Sequence, residues 1–315
     1  MNFTNYLNMP KVQTAGTFIF LLALALLLGA SMLAFVGEVK DKSSTRNNFP
    51  IMSYNITRST WIWIFIFAIS GGTTVFLPQT ATLTKSNPLL ITAICSSVAL
   101  LFYLIYHFSA KIIRSKFLHA PLAFFATGSA LGAASFWYLP HICNAWFQNV
   151  DNLATAQEIL FWWLGRVEIA CFLHFFLNSI GVAALFFMLA NAAEKEKKRK
   201  QSRDYYFQAA GYAGRWLLSV VTLQALPLTW IFYNKVGTNP ALLLHKPEVY
   251  WLAAMLISAL MGWLLLIKIT KDGLVNRRAT LIIALFFIIS LSLFHFSPLQ
   301  QVNTTTAALT QNQAK

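Results

Sequence analysis

The sequence predicts an all-α integral membrane protein: a bundle of eight transmembrane helices, both termini outside, with no soluble domain. Three observations lead there. Eight apolar runs lie close to or above the roughly 18 residues that cross a hydrocarbon core about 30 Å thick. Of the 315 residues 57% are hydrophobic and only 11% charged, against about 25% charged in soluble domains. Lys and Arg crowd into alternate connecting loops. Lipid offers no hydrogen bonds to backbone, so a spanning chain must be helix or closed barrel. Continuous apolar runs lack the two-residue alternation of a barrel strand.

The spans read 16–36, 61–77, 89–108, 121–138, 159–190, 216–232, 250–267 and 279–295. The first is too long for the apolar core of a signal peptide, and only Lys11 supplies a basic flank. It carries Gly29, Ala30 and Ser31. The second opens on Trp61 and Trp63 and ends in Ser70, Gly71, Gly72, Thr73 and Thr74. The third holds Cys95 and ends at His107. The fourth reads TGSALGAAS, with Gly128 and Gly132 four apart, and closes on Trp137 and Tyr138. In lipid, small residues let helices approach closely, so spans one, two and four are expected to pack tightly together. The sixth contains Pro227, which removes a backbone hydrogen bond and should kink it, with Thr229 or a neighbour re-satisfying the freed carbonyl. The seventh opens on Tyr250 and Trp251, the eighth ends at His295. Residues 299–315 are polar and read as a disordered tail. No internal repeat links the first four spans to the last four.

Orientation follows from charge. Of 24 Lys and Arg, 18 lie in the loops after spans one, three, five and seven, five lie on the other side, and Arg166 lies within span five. Basic loops stay cytoplasmic, which places the chain in a bacterial cytoplasmic (inner) membrane with both ends outside. That placement also turns the net charge of +14 away from nucleic acid. The polybasic run from Lys195 to Arg203 suits anionic lipid. Cys95, Cys143 and Cys171 form no CxxC or CxxCH, so neither a zinc ribbon nor covalent haem is signalled.

Chemistry concentrates on span five, ILFWWLGRVEIACFLHFFLNSIGVAALFFMLANA. A charge in mid-bilayer costs about 2.5–3.5 kcal/mol, so its polar residues need a reason. Arg166 and Glu168 read as lying in the outer third, two residues apart and unable to pair with each other. His174 reads as near the midplane, sharing a face with Asn178 four residues on and with Cys171 one turn before. All of this is expected to face the bundle interior. His107 and His119 fall at the cytoplasmic end, His141 and His295 at the outer end, and His245 in an outer loop. Two facing imidazoles at matched depth could hold a b-type haem, which makes His107 with His119 and His141 with His295 the candidate ligand pairs. A quinol site needs an aromatic slot and a proton acceptor near one membrane face. Trp162, Trp163, Arg166, Glu168 and His141 supply that towards the outside, with Trp137 and Tyr138 close in depth.

FLHFFLNSIGVAALFF and LQALPLTWIFY, on successive spans, resemble segments of bacterial inner-membrane subunits that accompany multihaem cytochromes. The likeness covers two of eight spans and transfers no residue's role. It implies partner membrane or cytochrome subunits. The chain therefore reads as a respiratory electron-transfer subunit, at most a quinol-binding component of an oxidoreductase complex, with quinone or b-type haem as cofactor. A small-solute permease or a structural anchor without chemistry is the alternative. There is no GxSxG, P-loop or HExxH.

Alkaline phosphatase fused after Thr306 is expected to be active in cells, and fused after Arg199 inactive. The opposite pattern inverts the topology.

Overall fold

The computed structural model describes residues 10–41, 49–76, 88–109, 116–139, 166–197, 203–236, 247–272 and 277–295. Every element among them is helical: α1 (Pro10–Asp41), α2 (Phe49–Phe76), α3 (Pro88–Ser109), α4 (Lys116–Tyr138), α5 (Val167–Lys197), α6 (Arg203–Leu223), α7 (Ala225–Val236), α8 (Pro247–Asp272) and α9 (Arg277–His295). Since α6 and α7 are one rod broken at Gln224, the rods number eight among the described residues. Within the same residues α1, α2, α3, α5 and α8 are long and apolar enough to cross a membrane by themselves. His141, His245, Cys143, Trp162, Trp163, the middle of the polybasic run and the 299–315 tail lie outside the described residues.

The rods form two four-membered groups. In the first, α1 packs on α2 and α4, and α3 on α4; in the second, α5 packs on α6 and α9, and α8 on α9. The groups meet chiefly where α1 lies against α5, and those two helices are mostly buried while α2, α3 and α8 show most of their surface. The pairing of the first half is thus repeated in the second. No sequence repeat announces it, because in lipid many apolar sequences satisfy the same packing. The outward residues include Ile62, Phe65, Ile94, Leu101, Ile257 and Leu285, an apolar surface suited to lipid.

Glycines set the approach distances, Gly29 and Gly71 as expected and the α4 pair not. A side chain at Gly29 would collide with the backbone carbonyl of Ser179 on α5, one at Gly71 with the backbone of Phe20, and one at Gly16 with Thr74. The GxxxG pair of α4 plays no such part: Gly128 meets nothing within 4 Å and Gly132 sees only the Cys95 sulfur at 3.8 Å. What α4 buries instead is an alanine stripe, Ala126, Ala130, Ala133 and Ala134. The small-residue contact of α1 beyond α2 is therefore with α5.

Hydropathy misplaced several ends. Helix α1 runs through Val36 to Asp41, so Glu38, which lies just past the first span as read, is helical and buried. Helix α2 begins at Phe49 because Met52, Ser53, Ile56, Thr57 and Thr60 form a buried face at helical spacing. The hydroxyls of Thr57, Ser59 and Thr60 bond to carbonyls three or four residues back, which hides their polarity. Helix α6 starts at Arg203, within the stretch read as a loop, because Ala209, Ala210, Tyr212 and Ala213 are buried.

Inter-helix contacts gather the ends flanked by basic loops onto one face. Asn55 on α2 donates to the Tyr205 hydroxyl on α6 (2.6 Å), Lys40 lies over the Tyr212 ring, and Gly214 faces Thr270 on α8. Phe20, Phe76 and Trp137 pack together at the opposite face.

Gly29→Ala is expected to destabilise the bundle by about 1–3 kcal/mol through overpacking, while Gly128→Ala stays within about 0.5 kcal/mol of wild type. Reversible unfolding in detergent measures both.

Candidate functional site

A hydrogen-bonded polar set in the second group comes from two helices with different reasons for being there. Helix α5 brings His174 and Asn178, four residues apart and hence on one face. Asn178 Nδ2 donates to His174 Nε2 at 2.9 Å. That bond makes Nε2 the acceptor of a neutral imidazole and leaves the ring hydrogen on Nδ1. His174 is buried and Asn178 half-buried.

The third member comes from the broken rod. Pro227 has no N–H for the carbonyl of Leu223, and its ring crowds that carbonyl. The helix accordingly stops at Leu223 and resumes at Ala225, spliced by Gln224 N to Val220 O (2.9 Å) and Leu228 N to Gln224 O (3.2 Å). Thr229 bonds to the Ala225 carbonyl (2.7 Å), not to the one that Pro227 frees. At the break the Gln224 side chain turns inward, and its Nε2 donates to the His174 carbonyl at 3.1 Å. Sequence reading noted Gln224 only as the residue three before the proline. A polar side chain beside a helix-breaking proline was the available signal.

Aromatic rings cluster beside this stretch of α5. Tyr138, at the end of α4, lies 5.1 Å from the Phe175 ring. Tyr138, Phe172 and Trp230 pack on buried Leu139 and Ile169. Cys171, half-buried one turn before His174, completes the expected stripe.

Depth and shelter differ from expectation for three residues. Span five was read as 159–190, whereas α5 begins at Val167 and its apolar stretch covers Val167–Ala192. His174 therefore lies about 8 Å from the middle of that stretch, towards the face opposite the basic one. Arg166 precedes the helix and is exposed; Glu168 sits half-buried in the first turn. An acid there is favoured by the helix dipole, and neither residue is a mid-membrane charge. Arg166 is not sheltered between helices.

The structure gives His107 and His119 separate surroundings on the basic face. The His107 ring stacks between Tyr54 (5.5 Å) and Trp61 (5.7 Å), with Nδ1 3.1 Å from the Thr57 hydroxyl. The His119 ring meets Tyr106 edge-on at 5.6 Å, and its Nδ1 lies 4.0 Å from Glu38 Oε1. Consecutive residues Tyr106 and His107 point about 100° apart around α3, which sends the two imidazoles to different neighbours. His295 is the last residue of α9. Among the described residues no three His, Cys, Asp or Glu gather as a metal site.

No family model matches the chain, and no curated protein matches its sequence. Its fold is similar to that of a chain in the structure of bd oxidase from Geobacillus thermodenitrificans, with a TM-score of 0.64 over 93% of this chain and 86% of that one. At 12% identity the likeness is one of fold.

Gln224→Leu removes the link between the broken rod and α5, and is expected to cost about 0.6–1.7 kcal/mol. A larger loss than from Thr229→Val, whose hydroxyl bonds within its own helix, in reversible unfolding would identify Gln224 as the strut.

Proposed function

We propose that this chain is a membrane subunit of a bacterial respiratory electron-transfer complex, with its basic face cytoplasmic, and that a quinol head group binds at His174. The observation that carries the reading is the hydrogen-bonded His174–Asn178–Gln224 set, in a helical bundle whose fold resembles a chain of a bd oxidase. Redox groups reside in partner subunits, and this chain contributes no catalytic centre of its own.

Chemistry favours quinol over haem here. A bis-histidine haem needs a second imidazole opposite His174, and among the described residues His107 and His119 both belong to the other face. A quinol needs one apolar slot, one hydrogen-bond acceptor and one proton acceptor. The neutral His174 ring supplies both from Nε2 once Asn178 turns aside. The quinol O–H donates to Nε2, and its proton passes to the ring as an electron leaves for the partner's redox group. Asn178 holds the imidazole until the quinol replaces it, and Gln224 anchors the His174 backbone throughout. Tyr138 and Phe175 give the flat apolar walls that a quinoid ring stacks against. Arg166 and Glu168, at the start of α5 on the same side, stand where a released proton meets the outer aqueous phase.

Protein purified in mild detergent is expected to carry quinone in its lipid extract, and His174→Ala to lower that content at least about tenfold, a loss of about 1.4 kcal/mol in binding. Asn178→Leu should lower it less. Quinone content unmoved by His174→Ala puts the site elsewhere. Protein that yields no quinone and co-purifies with no redox subunit supports the anchor or permease reading instead.

A further inference from the structure

A second buried polar cluster lies at the basic face, in the first helix group, and the quinol reading does not use it. Helix α1 carries Glu38 into the interior, where α3 and α4 each bring a polar group to its carboxylate. From α3 the Tyr106 hydroxyl donates to Oε1 at 2.7 Å. From α4 the Nδ1 of His119 stands 4.0 Å from the same oxygen. From α2 comes the uncharged Ser53, whose hydroxyl bonds to the Ala34 carbonyl. Tyr103 lies one turn deeper on α3, sharing a hydrogen bond with Thr60, and Lys40 on α1 itself turns towards the Tyr212 ring. Glu38, Tyr106 and His119 are all buried.

Two features distinguish this cluster from a carboxylate that merely staples helices. Stapling needs hydrogen bonds, which Gln or Ser supply in lipid at a smaller desolvation cost than a carboxylate. And His119 is half used: beyond Nδ1, its Nε2 is buried and has no hydrogen-bond partner among the described residues. An imidazole with one nitrogen directed at a carboxylate and the other left open is arranged to pass a proton through its ring.

We propose that Glu38 is a proton-binding site loaded from the basic face through His119. The neutral ring, carrying its hydrogen on Nδ1, takes a proton at Nε2 and becomes imidazolium. Its Nδ1–H bond then breaks and that proton joins Oε1 of Glu38. The products are a neutral carboxylic acid and a neutral imidazole with its hydrogen on Nε2. A side-chain swing of about 1 Å brings the 4.0 Å separation within hydrogen-bond reach. Tyr106 keeps its hydrogen throughout and holds Oε1 in place. One positive charge enters and the buried negative charge is cancelled.

The test is infrared difference spectroscopy of the purified full-length protein after an acid jump. The C=O band of a protonated carboxyl group should grow in wild type and be missing in Glu38→Gln. In His119→Gln the band should reach the same height at least about tenfold more slowly, the loss typical of removing a positioned proton-transfer group. Tyr106→Phe should fill at the wild-type rate. In wild-type protein with nitrogen-labelled histidine, ring modes should switch from the Nδ1–H to the Nε2–H form as the carboxyl band grows, a readout independent of whether any variant folds. A carboxyl band indifferent to Glu38→Gln, unaltered filling in His119→Gln, or ring modes that stay constant while the band grows would each overturn the proposal. None of these readouts involves quinone, so their failure leaves the His174 site untouched.

Discussion

The whole arrangement depends on how closely α1 can approach α5. At Gly29 the two backbones touch, with the Ser179 carbonyl occupying the space that any side chain would need. Ala183, on the next turn of α5, adds a methyl group to the same contact. Lipid tails are as apolar as leucine, so burial alone does not draw these rods together; dispersion across a close, well-fitted contact does. With that contact made, α1 becomes the axis of the first helix group and α5 of the second. The other rods pack against one of them or, as α3 and α8 do, against α4 and α9.

Polar side chains then sort by face. Near the basic face they pair between helices of the first group: Thr60 with Tyr103, Thr57 with His107, Glu38 with Tyr106. In the second group the deep pair is His174 with Asn178, tied to the broken rod by Gln224. The outermost helices are knitted differently. On α8 and α9, Ser258 donates to the Phe286 carbonyl and Ser290 to the Met255 carbonyl. Hydroxyls of this kind cost little in lipid because they also fold back on their own helix. The imidazoles and the carboxylate do not have that option, which is why they mark the positions where chemistry is to be sought.

Much of the fold was legible in the sequence because lipid punishes exposed backbone and loop charge controls insertion. The membrane class, the rods, the break before Pro227 and the shared face of His174 and Asn178 all follow from local spacing. What escaped depends on partners. Glu38 resembles a loop charge until the Tyr106 hydroxyl, far along the chain, is known to cover it. Gly128 and Gly132 match a packing motif, but spacing does not say which side of a helix meets a neighbour. Gly29 was noted, and its true counterpart at Ser179 was not. Arg166 was judged costly because span five was read as starting at 159, whereas Arg166 itself precedes α5 and is exposed. Gln224 acquires meaning only when the rod it interrupts is laid against α5.

That interruption has a mechanical side. Segment α7 is twelve residues long and contributes Trp230 to the aromatic cluster near His174. It joins α6 through a splice that lacks the full ladder of an unbroken helix. A short lever pivoting at Gln224 swings its far end without dislodging the longer rods on either side. The edge of the aromatic cluster that Trp230 forms is therefore the compliant one.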